Sequence, residues 1–162
     1  MKNIRFFAGI FLIASFIIGC NSSATWEKQE RSQIAAYIKT LGDTVYSKKT
    51  SGLYYIELRA GTGRMPVAKD TVFFRYTGMF VDRVVFDSNI TASAPYGAVL
   101  GNYEIIPGLD EGFQYMKEGG KARFLLPSNL AYGAAGIWNI IPGYSPLLFE
   151  IELISVHPGP GK

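Results

Sequence analysis

Between Tyr76 and Phe149 no apolar run continues for long. Aromatic and branched residues arrive in short stretches cut by glycine or proline: RYTGMF, VVFDSN, PYGAVLG, IIPGLDEGF, LAYGAAG and IIPGYSPLLFEIEL. Runs of this kind make short strands and tight turns, and the spacing of their aromatic members favours a pocket over a charged active site. The usual catalytic side chains are nearly missing. The one histidine, His157, stands near the C-terminus and the one cysteine, Cys20, ends a hydrophobic leader. Any chemistry must therefore proceed without a His base, a Cys nucleophile or a multi-His metal site, and no cofactor is expected.

The leader is set aside before the fold is considered. Lys2 and Arg5 precede an apolar run from Phe6 to Ile18, shorter than the roughly 20 residues a membrane-spanning helix needs. It ends in Ile17-Ile18-Gly19-Cys20, which resembles a bacterial lipobox. The resemblance implies cleavage after residue 19 and lipidation of Cys20, with several acyl chains giving firm attachment. An ordinary signal peptide with an incidental cysteine and an uncleaved anchor are the competing readings. Asn21 after the cysteine is similar to outer-membrane sorting signals, giving a lipid-anchored protein of the cell envelope that faces the periplasm. The leader holds two of the chain's basic residues and no acid, so the remainder of the chain is closer to neutral than the formal +3 of the whole. Lys48-Lys49 reads as a solvated turn, and no basic block marks a phosphate footprint, so nucleic acid is not an expected partner.

Residues 20–51 read as the lipidated cysteine, a polar spacer and a helix. From Trp26 to Leu41 the apolar residues Ile34, Tyr37, Ile38 and Leu41 fall on one helical stripe, and Gly42 stops it. The polar first half suits a docking or spacer segment better than a core element, and Asp43 to Ser51 reads as a polar connection. Strands come next: Leu53–Leu58, Thr71–Phe80, Val84–Asp87, Tyr96–Leu100, Ala122–Leu126 and the long alternating Leu147–Val156. The one convincing helix among them, Leu109–Lys117, has Pro107-Gly108 before it and Gly119-Gly120 after it. Strands with a single helix give an α+β class, an antiparallel sheet carrying a helix on one face. Residues 158–162 read as a disordered tail. Gly61-Thr62-Gly63 is a turn rather than a nucleotide fingerprint, and Glu150 with Glu152 a solvated face rather than an acid pair.

From about Gly52 to residue 157 the chain resembles an FKBP-type (macrolide-binding) peptidyl-prolyl cis–trans isomerase domain. Tyr76-Thr77-Gly78, Phe86-Asp87-Ser88, Ile105-Ile106-Pro107-Gly108, Ala131-Tyr132-Gly133 and the strand Leu148–Leu153 carry the resemblance in order and spacing. It implies a half-open, twisted antiparallel sheet wrapped over one short helix, preceded here by the N-terminal helix. Tyr76, Phe86, Tyr96 and Phe149 would be aromatic walls, with Leu109 as the floor. Ile105 would line a side, and the Ile106 N–H would donate to a substrate carbonyl. Tyr132 would offer its hydroxyl to the substrate, and Asp87 would be the single buried acid. Glu104, Ile137 and Trp138 would touch substrate, with Ile140 and Ile141 forming a mobile lip. Proline-containing polypeptides and macrolides are the implied ligands.

Three positions depart from the family's commoner pattern. Ala92 stands where many members place an arginine beside the pocket acid, which leaves Asp87 to find another partner such as Tyr76. Leu109 replaces a floor tryptophan, a change familiar in bacterial members. Ile137-Trp138 replaces a histidine in the lip and makes it more apolar, suited to a chaperone-like grip on unfolded chains. The expected function is assistance to the folding of exported proteins. The alternatives are a weakly active or inactive FKBP-fold binding lipoprotein, and an accessory of an envelope machine such as gliding motility, which some similar lipoproteins serve.

Overall fold

The ten-residue strand from Thr71 to Phe80 is the hub of the molecule, pairing with three others. The computed structural model describes residues 23–159; Cys20, its leader and residues 160–162 lie outside them. In chain order the elements are α1 (Ser23–Thr40), β1 (Ser47–Lys48), β2 (Tyr54–Arg59), β3 (Thr71–Phe80), β4 (Val85–Ser88) and β5 (Tyr96–Val99). Then come α2 (Pro107–Phe113), β6 (Lys121–Leu126), a 3₁₀ turn (Ser128–Leu130) and β7 (Leu147–His157). The strands form one antiparallel sheet in the order β1-β2-β6-β7-β3-β4. The far edge of β3 is shared, β5 pairing with Thr71–Phe74 and β4 with Thr77–Met79. Across β3 and β7 the register runs from Thr71 opposite His157 to Phe80 opposite Leu147, with Ile154 bulged out between Phe73 and Phe74.

The sheet is apolar on both faces, and each face has its own helix. On one side Val72, Phe74, Phe124, Phe149 and Ile151 pack against Leu109 and Phe113 of α2. Gly112 permits that approach, because a Cβ there would stand 2.4 Å from the Phe124 ring. On the other side Ile56, Met79, Leu125 and Leu148 pack against Ile34, Tyr37 and Leu41. This seats the apolar stripe of the N-terminal helix in a second core. Apolar side chains on the back of four strands need cover, and burial contributes about 25 cal/mol per Å². Even the polar half of α1 takes part, with Glu30 only 8% exposed.

Smaller differences have equally local causes. The helix α1 starts at Ser23, before Trp26, and α2 runs from Pro107 only to Phe113. Beyond Phe113 the chain tightens into i to i+3 turns, Tyr115 N–H bonding Gly112 O and Met116 N–H bonding Phe113 O. The connection after α1 holds a short strand, Ser47–Lys48, paired with Tyr54 and Tyr55. Lys49 is not simply solvated, its Nζ lying 3.9 Å from the Tyr115 ring centroid. Glu150 and Glu152 are half-buried rather than on an open solvated face, paired with Arg123 and Arg59. The tail is ordered at its start, since Gly159 is buried and its N–H donates to Asp70 Oδ1 at 3.1 Å. No helix among the described residues is long and apolar enough to cross a membrane.

Candidate active site: an aromatic cavity above α2

Where β3, β5 and β7 pass over the start of α2, the strands leave a cavity of about 420 Å³. Leu109, at 6% exposure, lies among its lining residues as well as in the core, which suits a floor. Phe74 and Tyr76 reach it from alternate positions of β3, Tyr96 from β5 and Phe149 from β7. The rings hold one another: centroids lie 5.5 Å apart for Phe74–Tyr96, 5.9 Å for Phe74–Tyr76 and 6.3 Å for Tyr76–Phe149. Tilted contacts of this range suit aromatic quadrupoles and fix the wall without hydrogen bonds.

Polar groups are few. The Tyr76 hydroxyl donates to Asp87 Oδ2 at 2.6 Å. Burial, and then this bond, push the Tyr76 phenol above its ordinary pKa. Burial also raises the Tyr132 phenol, with the Asp87 charge adding to it. The Tyr132 hydroxyl and the Ile106 N–H make no hydrogen bond within the described residues, so both are donors in the lining with capacity for a ligand. Glu104 is turned to its own loop, accepting from Val99 N–H at 2.9 Å and Asn102 Nδ2 at 2.7 Å. The Val99 N–H, and next Asn102, hold its carboxyl below the usual range. Raised phenols stay protonated well past neutrality. Activity at this site should therefore be flat from about pH 7 to about pH 9; a fall centred inside that window would show a phenol ionising.

The structure relocates several expected residues. Asp87 is exposed rather than the single buried acid; the buried acids among the described residues are Asp70 and Glu30. A short edge strand leaves Asp87 open to water, and its partner is Tyr76. Arg75 does not replace the missing arginine: its Nη1 donates to the carbonyls of Asn89, Ile90 and Ala92 at 2.9–3.0 Å and pins that loop to β3. Phe86 is outside the cavity lining, packed edge-on against Phe149 at 5.8 Å. Gly78 allows this, since a Cβ there would come within 2.7 Å of the Phe86 ring. Ile141 is core, 3% exposed, and not part of a lip; Ile137 N–H bonds its carbonyl at 2.7 Å. Ile137, Trp138 and Ile140 stand outside the lining, with Trp138 88% exposed at the loop tip. Ile105 and Ile106 do line the cavity, joined by two residues not assigned to it from sequence, Phe74 and Tyr103. Alternation with Tyr76 was the available signal for Phe74. Tyr103 sits in a turn at positive φ, which no periodicity reveals.

The family model for FKBP-type peptidyl-prolyl cis–trans isomerases matches residues 62–154, which contain this entire cavity. The chain belongs to that family. It is 39% identical over 106 residues to an FK506-binding protein of Neisseria meningitidis serogroup B, covering 65% of this chain and 97% of that one. It is 40% identical over 111 residues to the isomerase FkpA of Escherichia coli, covering 68% of this chain but 40% of FkpA. Less than half of FkpA thus aligns in sequence. Among solved structures, a peptidyl-prolyl cis–trans isomerase of Pseudomonas syringae superposes with a TM-score of 0.73 at 33% identity. That match covers 85% of this chain and 97% of the other. FkpA itself gives a TM-score of 0.72 at 35% identity, with 85% of this chain and 65% of FkpA covered. These FKBP relatives account for the twisted sheet over α2.

Proposed function

We propose that the chain accelerates cis–trans isomerisation of X-Pro bonds in exported polypeptides, working at the bacterial cell envelope. In this reading residues 1–19 are removed, lipid on Cys20 tethers the protein to the outer membrane facing the periplasm, and 52–157 is the isomerase domain. The observation that carries the catalytic part is an aromatic cavity with two open donors and no Ser, Cys, Lys or His in its lining. An X-Pro bond must cross a barrier of about 18–20 kcal/mol set by amide resonance. Twisting the bond removes the resonance and makes its carbonyl less polar than in the planar amide. A cavity walled by Tyr76, Tyr96, Phe149 and Leu109 then favours the twisted over the planar form, which is differential binding of the transition state. The Ile106 N–H and the Tyr132 hydroxyl hold the flanking backbone, and no proton changes hands. Each ~1.4 kcal/mol of difference is tenfold in rate. The same cavity would admit a macrolide.

The test is refolding of a proline-limited substrate protein by the chain from Ser22 onward. The slow phase should accelerate, and Asp87→Leu, which removes the acceptor of Tyr76, should weaken the effect, as should Phe86→Ala, which removes the ring behind Phe149. No acceleration, or both variants equal to wild type, would sink the catalytic reading. The anchor has a separate check: Cys20→Ala should release the protein from membranes, and its continued fractionation with them refutes the lipid tether.

A further inference from the structure

Apart from Tyr103, which is 98% exposed, Tyr132 differs from every other aromatic residue of the cavity lining. Phe74, Tyr76, Tyr96 and Phe149 are locked ring against ring, whereas Tyr132 makes no ring contact among the described residues. Its ring leans, half-buried, on the main core, and its backbone sets where that ring and its hydroxyl enter the cavity. That backbone hangs from one residue: the Ser128 carbonyl accepts from Ala131 N–H at 2.9 Å and from Gly133 N–H at 2.8 Å, the two neighbours of Tyr132. Ser128 is in turn held from across the molecule. Its N–H donates to Glu30 Oε1 and its hydroxyl to Glu30 Oε2, the latter at 3.0 Å. Both residues are buried, Glu30 at 8% and Ser128 at 5% exposure. A carboxylate placed out of water is costly unless it is hydrogen-bonded, and here both oxygens serve one residue of the turn that leads to Tyr132. Tyr132 O and Gly133 O take the N–H groups of Gly136 and Tyr144, so the turn has little freedom once Ser128 is fixed.

We propose that Glu30 is a positioning residue for the isomerase site: from α1 it grips Ser128 and so sets where the Tyr132 hydroxyl stands in the cavity. The proposal rests on the isomerase reading of that cavity. It gives the N-terminal helix a role in turnover, beyond covering the back of the sheet. It also makes the helix a route by which anything that displaces Glu30 from Ser128 alters the rate.

The full chain decides this. Exchange between the cis and trans forms of an Ala-Leu-Pro-Phe peptide, followed by NMR, gives kcat and KM separately. Glu30→Ala should lower kcat about tenfold, as small misplacements of catalytic groups do, with KM nearly unchanged. Glu30→Gln keeps an acceptor oxygen for the Ser128 N–H and should recover most of the loss. Ile34→Ala weakens the packing of the same helix on the sheet but leaves both Glu30–Ser128 hydrogen bonds in place, and should keep wild-type kcat at temperatures where it is folded. In isotope-labelled protein, the Tyr132 ring signals should shift in Glu30→Ala and stay in place in Ile34→Ala. Equal losses in Glu30→Ala and Ile34→Ala, or wild-type kcat in Glu30→Ala, overturn the proposal. If wild type itself does not accelerate exchange, the isomerase reading fails on its own account. The Tyr132 signals then decide the link, and unshifted signals in Glu30→Ala overturn it.

Discussion

Phe149→Ala should lower the stability of the protein by about 3–5 kcal/mol, the usual cost of truncating a buried phenylalanine, and cut isomerase activity at least tenfold. The ring belongs to two structures at once. It is 3% exposed within the main core and also lines the cavity. Phe86 packs edge-on against it at 5.8 Å, and Tyr76 lies 6.3 Å away. Truncation removes the dispersion contacts of one core layer and also opens the wall, letting water reach a site whose effect depends on low polarity. Urea unfolding measures the first consequence. The rate of a proline-limited refolding reaction, taken at a temperature where the variant is folded, measures the second. A folded Phe149→Ala protein with wild-type activity would show that the ring is core and not wall.

How much of this was legible in the sequence depends on whether the deciding interaction is local. The alternation of β3 and β7 lies within each segment, so their spans, and the face carrying Val72, Phe74 and Tyr76, follow from period two. Tyr76, Tyr96, Ile105, Ile106, Leu109, Tyr132 and Phe149 fall into register along the chain, and the cavity contains all of them. The helix α1 shows where locality ends. Its stripe of Ile34, Tyr37 and Leu41 is visible, but the surface it covers is assembled from Ile56, Met79, Leu125 and Leu148 on four strands. Nothing within residues 23–40 announces that partner. The Glu30–Ser128 link spans 98 positions and joins two ordinary polar residues. Burial of acids is equally non-local. Asp87 follows the apolar Val84-Val85-Phe86 yet lies exposed on a short edge strand, whereas Asp70 has Lys69 and Thr71 beside it and no exposure at all.

Asp70 therefore carries the second large expectation: Asp70→Ala should cost about 3–5 kcal/mol, the range for breaking a buried ion pair. Its carboxylate accepts from Arg64 Nη2, from Val67 N–H at 3.0 Å and from Gly159 N–H at 3.1 Å. Its carbonyl accepts from Leu100 N–H at 2.9 Å. One residue thus fastens the approach to β3, the end of β5 and the chain beyond β7. Arg64→Ala should cost less, about 1–2 kcal/mol. The Arg64 side chain is 39% exposed, and water can take part of its place. Asp70 does not line the cavity, so activity per folded molecule should hold in both variants. Urea unfolding of the two single variants and the double variant tests this directly. If Asp70→Ala lies within about 1 kcal/mol of wild type, the buried carboxylate is a tolerated burden rather than a fastening, as some buried ion pairs are.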